Sequence, residues 1–84
     1  MEEKANLKEY KLNDFYQAVV LKTTGYPLIR LEKGTGRYVF FVFADPANKA
    51  EETIKLYWDR QIEVVARDLI ENINELKTRI HLLV

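Results

Sequence analysis

The stretch from Thr35 to Asp45, TGRYVFFVFAD, constrains this chain more than any other, because Tyr38 to Phe43 is an unbroken run of six apolar residues. A strand with one wet face alternates apolar and polar side chains. This run does not alternate, so both of its faces need cover: Val39, Phe41 and Phe43 on one side, Tyr38, Phe40 and Val42 on the other. The second cover must come from a helix, the N-terminal segment, a partner subunit or a ligand that stacks on rings. Upstream, Leu28 to Lys33 does alternate, with Ile29 and Leu31 on one face and Arg30 and Glu32 on the other. Between the two lies Lys33-Gly-Thr-Gly36, whose glycines supply the positive φ angles of a tight reversal. The segments 28–33 and 37–44 are therefore expected to pair as a β-hairpin.

Three helices are predicted around the hairpin, at 14–24, 46–59 and 65–82. Asn13 or Asp14 can cap the first and Gly25 can end it. Phe15, Ala18, Val19, Val20 and Tyr16 spread around most of its girth, which calls for deep burial. Asp45-Pro46 reads as the start of the second, with the aspartate as cap and the proline in the first turn. Ala47, Ala50, Ile54, Tyr57 and Trp58 form its apolar stripe. In the third, Ala66, Leu69, Ile73, Leu76, Ile80 and Leu83 step by alternating threes and fours, the spacing of one buried seam. Ile70 and Lys77 widen that seam. Arg67, Asp68, Glu71, Asn72, Asn74 and Glu75 form a solvated side, and Glu75 and Arg79 are spaced to pair. Tyr10 and Leu12 alternate with lysines as in a short edge strand, and Ile62 to Val64 is a brief strand or a connector. The expectation is an α+β fold in one domain spanning 1–84: a small antiparallel sheet built on the hairpin, with three helices mainly on one side. Residues 1–6 are polar and expected to be disordered.

Composition removes several functions. Thirteen basic residues balance thirteen acidic ones, without the basic surplus that phosphate neutralisation usually demands of a nucleic-acid binder. There is no cysteine, so disulfides, thiolate metal sites and a thiol nucleophile are all absent, in keeping with a reducing cytoplasm. No apolar run approaches the roughly 20 residues that span a bilayer, and none follows Met1 to Lys4 as a secretory signal would. The expected setting is cytoplasmic, with no membrane partner.

Aromatic residues on a strand after a glycine and an arginine resemble the signature strand of RNA-recognition domains, whose rings stack on bases. Here Val39 occupies the place of the expected small residue, Gly36-Arg37 reverses the expected order, and the element order differs. Lys33 to Gly36 lacks the length, the lysine-hydroxyl ending and the following helix of a phosphate loop. His81 stands alone near a helix end and reads as a surface histidine. The carboxylates have capping duties or lie on wet faces, and there is no serine nucleophile. Trp58 reads as the largest plug of a small core. No catalytic, cofactor or metal residue is nominated. The expectation is a non-enzymatic interaction or accessory module that self-associates as a homodimer, or binds another protein, through the sheet face or the last helix. The alternative is a nucleic-acid-binding accessory protein. Under either reading the surface to watch is Arg30, Lys33, Arg37, Tyr38 and Phe40.

Asp14 at a helix start, Phe43, Asp45 and Pro46 after the hairpin, Tyr57-Trp58 closing the second helix, and Leu76, Lys77, Arg79 and Ile80 in the last one form a pattern. Over residues 10–80 it resembles a family of short bacterial and phage-associated proteins of unknown function. That pattern carries a threonine where this chain has Leu12 and a glycine where it has Arg60, so the cap passes to Asn13 and a left-handed turn after the second helix is not expected. The resemblance implies no activity. It implies a phage or mobile-element setting, in which small accessory proteins bind nucleic acids or other proteins.

Overall fold

A computed structural model describes residues 8–83. The expectation for residues 1–6 lies outside them. The chain runs β1 (Glu9–Leu12), α1 (Phe15–Thr23), β2 (Leu28–Lys33), β3 (Val39–Ala44), α2 (Ala50–Trp58) and α3 (Ala66–Leu83). The three strands form one antiparallel sheet in the order β1-β3-β2, so the apolar β3 takes the centre. The architecture is the α+β fold expected. The segment near Tyr10 does extend the sheet, whereas residues 61–65 form a connector outside it.

All three helices lie on one side of the sheet. The core joins Val39, Phe41 and Phe43 of β3 to Ala18, Val19 and Leu21 of α1, Ala50 and Ile54 of α2, and Leu76 of α3. Leu69, Ile73, Ile80 and Leu83 pack against it, so the predicted seam of α3 is real apart from Ala66, which is exposed. In β2 the simple alternation fails. A bulge between Leu28 and Arg30 inserts Ile29 as an extra residue. Leu28 and Leu31 then face the core while Ile29 is exposed.

Each helix end has its own device. The Asp14 carboxylate accepts the Gln17 N–H at 2.9 Å and caps α1. At the other end Gly25 N–H donates to Lys22 O and Tyr26 N–H to Leu21 O, a closure that needs left-handed backbone, and Gly25 has φ 110°. α2 begins at Ala50, four residues later than predicted, because Asp45 to Asn48 forms a turn, with Asn48 N–H donating to Asp45 O and Asn48 at φ 59°. Asp45 still serves as the cap. The residue is only 3% exposed, and its carboxylate reaches over the turn to accept Lys49 N–H at 2.8 Å and Ala50 N–H at 3.1 Å. α2 ends with the same pair of bonds as α1, Arg60 N–H to Tyr57 O and Gln61 N–H to Leu56 O, and Arg60 adopts φ 63°.

Polar ties hold the helical layer. Asn72 donates to Thr23 Oγ1 at 3.0 Å, and Lys22 meets Glu75 at 3.4 Å, linking α1 to α3. Glu75 thus pairs across helices rather than with Arg79, and the pair four residues apart on α3 is Arg67–Glu71. Asn72 is half-buried, not fully solvated. The Tyr26 and Thr53 hydroxyls share a 2.7 Å hydrogen bond between the α1 exit and α2. Among the described residues, no helix is long and apolar enough to cross a membrane.

Candidate interaction surfaces

The second face of β3 is covered by charge. On that face Val42 has Lys11 of β1 and Arg30 of β2 as its direct cross-strand neighbours, and Phe40 has Glu32. These side chains join over the central strand. The Arg30 guanidinium forks onto both oxygens of Glu9 at 3.1 and 3.2 Å and donates through Nε to Glu32 at 2.7 Å. Lys11 donates to the other Glu32 oxygen at 2.9 Å and sits 5.2 Å from the centre of the Phe40 ring. The aliphatic stems of Lys11 and Arg30 shield what lies beneath them. Val42 is accordingly only 1% exposed although no helix lies on its side. Hydrogen bonds from Lys11 and then Arg30 hold the Glu32 carboxyl below its ordinary pKa, against the opposing effect of burial. Hydrogen bonds to Glu9 and then Glu32 hold the Arg30 guanidinium protonated more firmly than usual.

The hairpin end positions the remaining sequence candidates. Gly34 N–H donates to Tyr38 O at 2.8 Å and Gly36 takes φ 66°. Gly34 is required for a further reason: a Cβ there would come within 2.7 Å of the Phe40 ring edge. Arg30, Tyr38 and Phe40 share the outer face. Lys33 pairs with Val39, so it belongs to the opposite face. Together with Gly36, Arg37 and Ile80 of α3 it lines a cleft of about 440 Å³. The five candidates are therefore two groups. Arg30 is consumed by its carboxylates and Phe40 is half-buried under Lys11, leaving Tyr38, 61% exposed, with Lys33 and Arg37 at the tip.

Sequence reasoning misplaced Trp58. It is no core plug: it stands 66% exposed at the end of α2, edge-on to Tyr57 with ring centres 5.3 Å apart. Its spacing from Ile54 matches the apolar stripe, but the helix ends there and the stripe runs past the edge of the core. Behind Tyr57, the side chains Val20, Arg60, Ile62, Val64 and Leu69 complete an apolar cleft between α1, the end of α2 and the start of α3. Val65 and Ile70, next in sequence to two of these lining residues, are both more than half exposed. The run Ile62-Glu-Val-Val65 carried a signal of this, since a short apolar connector has no sheet to enter. On the far side of α2, burial first, then the negative charges of Glu51 and Asp45, push the Tyr10 phenol above its ordinary pKa. Among the described residues no three His, Cys, Asp or Glu side chains cluster closely enough to hold a metal ion.

These features define a small α+β domain with an ion-paired sheet face and an apolar helical end. The chain belongs to the family described as Domain of unknown function (DUF5659), whose model matches residues 7–82. No curated protein and no solved structure matches it.

Proposed function

We propose that this chain is a non-enzymatic interaction module that holds a protein partner, in the simplest case a second copy of itself, on the helical end around Trp58, Val65 and Ile70. The observation that carries this reading is the contrast in cover. The centre of the sheet's outer face, over Val42, is already closed by two bases and two acids of its own, whereas these three apolar side chains stand in water. A self-associating surface therefore belongs to the last helix and the end of α2 rather than to the sheet. Three of the five threonine hydroxyls have structural work: Thr23 and Thr24 donate to α1 carbonyls and Thr53 pairs with Tyr26. The absence of cysteine and the resemblance to phage-associated proteins support a bacterial, cytoplasmic setting for such a module.

Light scattering on a concentration series tests it. Self-association weakened by Ile70→Lys and Trp58→Ser, with the fold intact, is the expected result. A strict monomer at millimolar concentration overturns the homodimer version. Trp58 is the only tryptophan, so its emission should shift to the blue as the partner docks.

A second reading has one specific observation behind it: the tip cleft is lined by Lys33 and Arg37 beside the exposed ring of Tyr38. A single strand could stack there. No binding of labelled oligonucleotide at about 50 mM salt would dispose of it, since such affinity only falls as salt rises.

A further inference from the structure

We propose that the cleft between α1, the end of α2 and the start of α3 is a binding site for a small aliphatic carboxylate. Its walls are Val20, Tyr57, Ile62, Val64 and Leu69, and its only charged lining residue is Arg60. The space is about 330 Å³, at the lower end of ligand sites and large enough for one short alkyl chain. An apolar pocket with one cation at its wall selects a molecule with one greasy end and one anionic end.

A second, independent observation singles out Arg60. It holds φ 63°, a backbone region that costs a side-chain-bearing residue free energy and that glycine enters freely. The end of α1 makes the same two closing hydrogen bonds and uses Gly25. Nothing in the closure of α2 calls for arginine, so the strained residue is explained by what its side chain does in the cleft. Among the described residues, Arg60 takes part in no ion pair, a property it shares with Arg37 and Arg79, so its guanidinium is open to an anion in the cleft while those of Arg30 and Arg67 already face carboxylates. The site stands independently of the partner reading, because a monomer would present it equally well.

The test uses three probes with one tail: octanoate, octanol and octylammonium, each titrated into the ¹⁵N-labelled chain and followed by amide shifts. Octanoate should shift the amides of Val20, Tyr57, Arg60 and Leu69 and bind roughly fivefold more tightly than octanol, with octylammonium weakest. Arg60→Gly should erase the preference for octanoate over octanol while leaving the thermal midpoint unchanged or higher. Arg60→Gln should erase it as well. Val64→Phe, which fills the cleft, should abolish binding of both octanoate and octanol. Equal or tighter binding of octylammonium, shifts confined to residues outside the cleft, a preference that survives Arg60→Gly, or no shifts at millimolar octanoate would each overturn the proposal.

Discussion

The two faces of β3 are both dry, but they are kept dry by different means. On the inner face Phe41 and Phe43 lie under apolar side chains from three helices. On the outer face Val42 lies under the stems of Lys11 and Arg30, whose charged ends are tied together by Glu9 and Glu32. The first cover is a packed interior, where every removed methylene leaves a void. The second is a roof of side chains in contact with water, which can shift to fill a gap. The difference teaches that an unbroken apolar strand does not require two helical layers or a partner subunit. Long charged side chains on the two edge strands suffice.

The comparison breaks most visibly at Phe41. Truncating it to alanine should cost about 4 kcal/mol of unfolding free energy, the cost of an unfilled aromatic cavity in a core. Val42 is buried to the same fraction but loses only two methyl groups in Val42→Ala, which should cost about 1.5 kcal/mol, the transfer of those groups without a cavity penalty, because the roof can settle. Paired denaturant melts of the two variants check the ordering. A Val42→Ala cost of about 3 kcal/mol or more, with a cavity penalty on top of the transfer cost, would mean the ion-paired roof is as rigid as the core. A sharper variant is Lys11→Met, which keeps the stem and removes the charge. If cover is what protects Val42, its melt should fall below the wild type only by the small, salt-screened loss of the Lys11–Glu32 ion pair.

Next in size comes Gly34→Ala, where the outer face meets the turn. The added Cβ would approach the Phe40 ring to 2.7 Å, so the ring must swing away from Lys11. A cost of about 1 kcal/mol is expected, the low end for overpacking, since the ring is half-buried and has room to yield. Loss of the ring-current shift on the Lys11 side-chain protons would report the displacement directly.

Much of this fold was legible in the sequence. The hairpin, the three helices and the α3 seam followed from alternation, glycine placement and the three-four step. What was not legible depended on where elements stop and what lies across them. Trp58 carried the spacing of a core residue, yet position along the helix, not phase, put it beyond the core edge. Asp45 carries the sequence signature of a helix cap, and it is one, but the turn at Asn48 moves the helix start four residues downstream. Such a reach across a turn has no local signature. The bulge at Ile29 likewise shifted the inward face of β2 onto Leu28, because periodicity assumes an unbroken register. At the candidate surface, the residues Arg30, Lys33, Arg37, Tyr38 and Phe40 were adjacent in the hairpin but not on one face. Of the two acids that occupy Arg30, Glu32 was in view on the same face, but Glu9 was invisible as a partner, since it lies 21 residues away in sequence.

The smallest effect comes from titrating the roof itself. Lys11 and Arg30 hold the Glu32 carboxyl below its ordinary pKa. Its folded value is thus lower than its unfolded value, so the unfolded chain takes up the proton first on acidification. The stability this contributes is fully present above the ordinary glutamate pKa of about 4.3 and is lost as pH falls through the depressed folded value. Neutralising it with Glu32→Gln should therefore flatten the acid limb of the stability curve below pH of about 4.3 and change little near pH 7 beyond a loss that salt also produces. Because these groups are open to water, the effect must be smaller than those of Phe41, Val42 and Gly34. Were the acid limb unchanged in Glu32→Gln, the roof would hold by its aliphatic stems alone, and the charges above Val42 would serve only to keep those stems soluble and in place.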